Sequence, residues 1–382
     1  MKKTALSILG LMMIISPLFS QQSGPASVIE SLFESGAEAV EYTEQFTSAV
    51  STERLQSVLD GIANQLGEVR EVRGDSNPYT VVFSGGTATV QITVNEEGRL
   101  AGLRFTSIDP AAAGLDTAVA RFKELPGETA LLITEHKGGN LRRVVSHSAD
   151  RPLAVGSAFK LAVLAGVKEK VETGALEWGT VVAVKDAWKS LPTGLIQDWP
   201  AGSAVTIETL ATLMISMSDN TATDALIDIV GRENVEEFAP DSIPLLTTRE
   251  AFVLKDPENG ELKQEYLGGT VREKRRILTG LGDLELPEAS LFTGEPVSPE
   301  IEWFFSCGGL CGLMEQVAGL DLTTVNPGVA DPDTWMRVSF KGGSEPGILN
   351  LTTRLVAKDG TVYCISATQN RSGADLDQSA FL

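Results

Sequence analysis

In residues 87–94 the apolar side chains Ala88, Val90, Ile92 and Val94 alternate with Thr87, Thr89, Gln91 and Thr93, which predicts a half-buried strand. Extended runs at 79–83 and 99–106 flank it, and Gly85-Gly86 and Glu97-Gly98 supply the turns between them. Helical periodicity over 26–34, 37–50 and 53–67 comes before these strands. The expected front domain is therefore a small α+β unit, helices packed on an antiparallel sheet.

The pattern changes near residue 108, and about 360 residues behind the leader described below exceed one ordinary domain. A connection over 110–126 contains an amphipathic stretch at 113–125. Strands are predicted at 130–134 and 143–146, and a closing meander runs through 336–341, 348–357 and 361–368 with a hairpin turn at Asp359-Gly360. Strands from both ends around a mainly helical middle predict an α+β domain over 109–382, with one antiparallel sheet collecting the two ends. The front domain then spans 21–107.

Lys2 and Lys3 precede an apolar run at 5–19, broken by Pro17 and followed by Ser20. This reads as a secretory signal peptide over 1–20, because the run is short for a membrane span. A periplasmic or secreted protein without stable membrane insertion is expected. The chain carries 31 basic and 51 acidic side chains, a net charge of −20, and loss of the two leader lysines makes it more acidic still. Nucleic acid is an improbable partner for such a surface.

Three cysteines, Cys307, Cys311 and Cys364, are too few for a disulfide framework and lack zinc-ligand spacing, so no metal and no other cofactor is expected. Core packing is the expectation for all three, with a Cys311–Cys364 bridge as the competing reading. Only His136 and His147 are present, both in or beside predicted strands and neither in a nucleophile-elbow context.

Candidate chemistry begins at Val155-Gly156-Ser157-Ala158-Phe159-Lys160. The apolar positions Phe159, Leu161, Val163, Leu164, Val167 and Val171 predict a buried helix ended by Gly174. Three residues apart on one helical face, the Ser157 hydroxyl and the Lys160 amine are expected within hydrogen-bonding reach, with burial lowering the lysine pKa so that it can take the serine proton. An N-cap serine is the plain alternative. Ile207, Leu210, Ala211, Met214 and Ile215 predict a second helix capped near Thr206. It ends at Ser218-Asp219-Asn220, in a tight turn before a third helix that stops at Gly231. Ser339-Phe340-Lys341-Gly342-Gly343-Ser344 closes a predicted strand, with the glycines permitting close approach of substrate to backbone.

Singly these elements are ordinary; in this order, on these elements, they resemble the class A β-lactamase and penicillin-binding-protein superfamily. Lys341-Gly342-Gly343 stands where that family has Lys-Thr-Gly. The resemblance implies a β-lactamase/transpeptidase-like domain, antiparallel sheet plus helical block, without cofactor. Ser157 would be the nucleophile and Lys160 the base. Ser218 and Lys341 would share proton transfer and carboxylate binding, and Asn220 would contact the acyl side chain. The N–H groups of Ser157 and Ser344 would form the oxyanion hole, beside Gly343. The expected function is an exported serine hydrolase acting through an acyl-Ser157 intermediate on a small-molecule β-lactam, ester or peptidoglycan-derived peptide. The alternatives are a penicillin-binding protein that is acylated without turnover and a D-Ala-D-Ala carboxypeptidase.

The runs Trp188-Lys189-Ser190-Leu191-Pro192, Leu246-Thr247-Thr248-Arg249-Glu250 and Phe340 to Gly347 are similar to the β-lactamase-like hydrolases encoded with clavulanic acid biosynthesis. That group carries an isomerase-like front domain, cystatin- or NTF2-like in fold, and includes esterases. Trp188 would wall the cleft or lie in the core, and Arg354 lies beyond the place of the family's carboxylate-binding arginine. Aligning Thr248-Arg249 with the family's Thr-Arg pair puts Leu254 where the water-activating glutamate belongs. Glu250 is the nearest carboxylate and sits four positions early. Slow deacylation of β-lactams is expected.

Overall fold

The computed structural model describes residues 24–110 and 114–381; the leader at 1–20 lies outside the described residues. Two compact units divide at Ala118/Val119. No helix among the described residues is long and apolar enough to cross a membrane.

In the first unit, helices α1 (Pro25–Ser35), α2 (Glu44–Ala49) and α3 (Thr52–Leu66) are followed by strands β1 (Val69–Arg73), β2 (Tyr79–Phe83), β3 (Gly86–Val94) and β4 (Leu100–Pro110), which form an antiparallel meander in that order. On α3, Leu55, Leu59, Ile62 and Leu66 recur at helical spacing and are buried, facing one core with Val81, Val90 and Ile92. Each such side chain contributes about 1.5–3 kcal/mol by leaving water. Two expectations are corrected. The helical run at 37–50 is broken into a short 3-10 turn at Ala37–Ala39 and α2, because Tyr42 pairs with Leu100 as an isolated bridge and Thr43 caps α2. The missed edge strand β1 reads Val-Arg-Glu-Val-Arg and buries none of its residues fully, so it lacked the alternating signal.

The second unit opens with α4 (Leu115–Lys123), which crosses the boundary, then β5 (Glu128–Lys137), β6 (Asn140–His147) and β7 (Leu153–Ala154). A helical block follows: α5 (Lys160–Glu172), a two-stranded ribbon of β8 (Val181–Ala183) and β9 (Ala204–Thr206), α6 (Ile207–Ser216), α7 (Asn220–Val230), α8 (Arg232–Glu236), α9 (Thr248–Lys255), α10 (Gly260–Gly268) and α11 (Val271–Leu278). The chain then passes through β10 (Phe304–Phe305), α12 (Cys307–Val317), β11 (Arg337–Glu345), β12 (Ile348–Val356), β13 (Val362–Asn370) and α13 (Gln378–Phe381).

The sheet runs β11-β12-β13-β5-β6, antiparallel throughout, so both ends of the domain meet in one sheet as the pattern predicted. The helical block centres on α5, whose residues 160–167 are all buried. This is a β-lactamase/transpeptidase-like α+β arrangement. Packing of α12 on β13 sets Cys311 opposite Cys364 with Cα atoms 5.9 Å apart, and the two are bridged. The expectation of core packing for all three cysteines is thereby corrected, and Cys307 alone stays a buried thiol beside the bridge.

Candidate active site

Ser157 lies in a 3-10 turn, Gly156–Phe159, and not at a helix N-cap; α5 proper starts at Lys160. The turn is fixed from two sides. Phe159 stacks on Trp303 with ring centroids 4.0 Å apart, and Val155 donates its N–H to the Trp303 carbonyl at 3.0 Å. From the other side β11 presses in: a Cβ on Gly343 would lie 2.0 Å from the Val155 carbonyl oxygen and 2.5 Å from the Ser157 nitrogen. Gly343 is thus required by the nucleophile turn as well as lining the cleft, where the expectation placed only substrate against it. A Cβ on Gly156 would meet the Ser344 nitrogen at 3.2 Å, so the Ser157 turn and the Ser344 N–H share one rim.

The Ser218-Asp219-Asn220 turn faces this rim. Ser218 adopts φ +60°, a left-handed conformation that costs a non-glycine residue about 1–2 kcal/mol. Buried Asp219 holds it there by accepting the N–H groups of Ala222 at 2.8 Å, Leu195 at 2.7 Å and Ile196 at 3.0 Å. Asn220 donates its amide to the Leu191 carbonyl at 3.0 Å, which draws the 191–196 segment over the turn.

Lys160 is fully buried and donates to the Ser218 carbonyl at 2.6 Å, to Ser218 Oγ at 3.2 Å and to Asn220 Oδ1 at 2.6 Å. No hydrogen bond joins it to Ser157. The expected direct contact is corrected for the resting site, because the amine is drawn to deeper oxygens; such contacts commonly tighten only with substrate in place. From β11, Lys341 donates to Ser218 Oγ at 3.1 Å and to the Gly342 carbonyl. Ser218 Oγ thus joins two buried amines. Desolvation, then repulsion from Lys341, drives the Lys160 pKa well below the ordinary lysine value, opposed by Asp224 and Asp219. Burial brings Lys341 down to about 7. Near neutral pH Lys341 can therefore take and return a proton, which an ordinary lysine cannot.

Together these elements line a cleft of about 660 Å³. Ser157, Ser218, Asn220, Lys341, Gly343 and Ser344 all reach it, while Lys160 lies beneath its floor. Helix α9 contributes one face, Thr248, Ala251, Phe252 and Lys255. Leu254 turns into the core, and Glu250 closes a capping box with Thr247 and pairs with Arg232 at 2.6 Å, away from the cleft. Sequence register put Leu254 at the family's glutamate position and named Glu250 as the nearest carboxylate; in the structure α9 presents no carboxylate to the cleft. The carboxylates that do line it among the described residues, Glu302 and Glu345, escaped the sequence reading, since no local motif marks them. Trp188 does not wall the cleft; it is buried, donates to Asp228 at 2.8 Å and borders a different cavity. Arg354 pairs with Glu315, and neither His136 nor His147 lines the cleft.

The family model described as the beta-lactamase enzyme family matches residues 114–260, a span that includes Ser157, Lys160 and Ser218-Asp219-Asn220. Among solved structures, a beta-lactamase from Sphaerobacter thermophilus DSM 20745 is 22% identical and aligns over 70% of this chain and 92% of its own, with a TM-score of 0.47. A beta-lactamase from Chitinophaga pinensis DSM 2588 is 13% identical over 70% and 93%, TM-score 0.48. A mutant of PBP-A, solved as its acyl-enzyme complex with penicillin G, is 15% identical over 67% and 86%, TM-score 0.45. No curated protein matches the chain.

Proposed function

We propose that this chain is an exported serine hydrolase, periplasmic or secreted, that forms an acyl-Ser157 intermediate on a β-lactam or carboxylic ester. The observation that carries the reading is the pair of buried amines, Lys160 and Lys341, joined through Ser218 Oγ beside the Ser157 turn. Neutral Lys160 takes the Ser157 proton as Oγ attacks the carbonyl carbon. The oxygen that becomes negative is received by the N–H groups of Ser157 and Ser344. Ser218, fed from Lys160 or Lys341, passes a proton to the departing nitrogen or oxygen, and Lys341 in its charged form attracts a substrate carboxylate.

Release is the slower half-reaction for a β-lactam, because α9 supplies Leu254 and an outward Glu250 and so no carboxylate base for the hydrolytic water. The same observation favours one further reading, an acylated protein with little turnover; a D-Ala-D-Ala carboxypeptidase uses the same first step. Esters, whose leaving group departs, turn over better, in keeping with the resemblance to the clavulanic-acid-cluster hydrolases. The front unit we assign an accessory role, since among its described residues the core buries no charged side chain. Mixing the protein with nitrocefin, an acetyl ester and a D-Ala-D-Ala peptide, with intact mass followed in time, tests the reading: a persistent penicilloyl adduct with faster ester turnover is expected. Rapid nitrocefin turnover without an adduct, lost on Glu250→Gln, would overturn the slow-release assignment.

A further inference from the structure

At the far end of β11 from Ser218, the cleft wall holds three charged side chains from three elements. Lys255 of α9 is buried and pairs with Glu302, just before β10, at 2.5 Å and with Glu345 of β11. Glu302 is wholly buried, its second oxygen engaged by the Trp303 N–H at 3.3 Å. Glu345 keeps a fifth of its side chain exposed and lines the cleft, and its second oxygen has no partner among the described residues. No other cation pairs with either carboxylate among the described residues. One ammonium against two carboxylates leaves a net negative charge in a largely desolvated wall, an arrangement costly to leave uncompensated.

Position gives this charge a function. Lys341, Gly343 and Glu345 occupy alternate positions of β11 and so share a face, Lys341 reaching Ser218 and Gly343 pressing on the Ser157 turn. Glu345 therefore follows Gly343 by about 6–7 Å, the rise of two strand residues, on the side opposite the buried amines. Phe252 and Phe292, with ring centroids 4.9 Å apart, line the same cleft. An apolar stem and a terminal cation would be held together there.

We infer that the Glu345 end of the cleft binds a cationic group carried on the acyl portion of the substrate, an ammonium on an apolar stem. The ammonium completes a two-cation, two-carboxylate cluster with Lys255, Glu302 and Glu345. The inference rests on the hydrolase reading above and narrows its substrate class.

The test compares 4-nitrophenyl esters of 6-aminohexanoic and 6-hydroxyhexanoic acid, equal in length and leaving group. Their second-order acylation constants are read from nitrophenolate release, with intact mass confirming the adduct on Ser157. The amino ester is expected to react about tenfold faster, the value of one charge-assisted contact. In Glu345→Gln the ratio falls to about one, and in Glu345→Lys it inverts; because each ratio is taken within one protein, partial loss of folded enzyme cancels. A ratio near one in the unaltered protein overturns the inference. So does an advantage that survives Glu345→Gln, which would trace to the overall charge of −20. If neither ester releases nitrophenolate and Ser157 gains no mass, the hydrolase reading itself fails; equal reaction of both defeats only the cation site.

Discussion

The two units bury different things. Among the described residues, every buried charged, amide or hydroxyl side chain other than Tyr79 lies between Lys160 and Gln369, whereas the front unit fills its core with aliphatic and aromatic side chains. Burying an amine costs stability unless it is paired, so the second unit carries a cost that the front unit avoids. That cost falls at Lys160 and Lys341, beside Ser218, where it lowers amine pKa values. The front core buries apolar groups, and the second also buries amines beside a cleft.

The largest effect that could break this contrast is at Lys160. Lys160→Ala is expected to slow labelling of Ser157 by a fluorescent penicillin at least about 100-fold, as loss of a general base should. Circular dichroism on the same variant separates this loss from unfolding, since the amine's hydrogen bonds to Ser218 and Asn220 go with it. Undiminished labelling would show that the buried amine is structural. The mirror experiment is Leu59→Ala in the front core. It should cost the front unit about 2–5 kcal/mol in urea unfolding while leaving the Ser157 acylation rate unchanged; a parallel loss of acylation would give the front unit a catalytic share.

The contrast between the units was partly legible from sequence. Ser157, Lys160, Ser218, Asn220 and Lys341 were found because each sits in a local motif at an element end, and the alternation over 87–94 and the terminal strands gave the sheets. The partners of Lys160 were not legible, since they depend on the left-handed Ser218 and on how far the 191–196 segment folds over it. Gly343 was read for the wrong neighbour because packing of β11 on the Ser157 turn is a contact across the fold. The Cys311–Cys364 bridge, which the sequence offered only as the competing reading, and the Lys255, Glu302 and Glu345 cluster likewise join distant segments, which periodicity within one element does not report.

A smaller effect sharpens the role of the second amine. Because burial brings Lys341 to about 7, its charge is present below that pH and lost above it. The ratio of penicillin acylation to neutral-ester acylation should therefore fall between about pH 6 and about pH 8, read from paired pH–rate profiles. A constant ratio would remove Lys341 from carboxylate binding.

The smallest effect concerns Asp224, whose carboxyl desolvation raises to about 7 with help from Glu250, against the N–H groups of Thr248 and Arg249 that it accepts. The folded chain holds this proton at pH values where the unfolded chain has released it. Its stabilising contribution is thus complete below the ordinary carboxyl pKa of 3.8 and is lost as pH rises through about 7. Asp224→Asn should flatten that part of the stability profile in urea titrations at several pH values; an unchanged slope would assign the pH dependence elsewhere.

The central claim is that Ser157 is the nucleophile served by these buried amines, and intact-protein mass spectrometry after mixing with penicillin G tests it most directly. The account predicts one added penicilloyl mass, mapped to the peptide containing Ser157, persisting through the time course and absent in Ser157→Ala. An adduct retained in Ser157→Ala, or mapped to another residue, would contradict it.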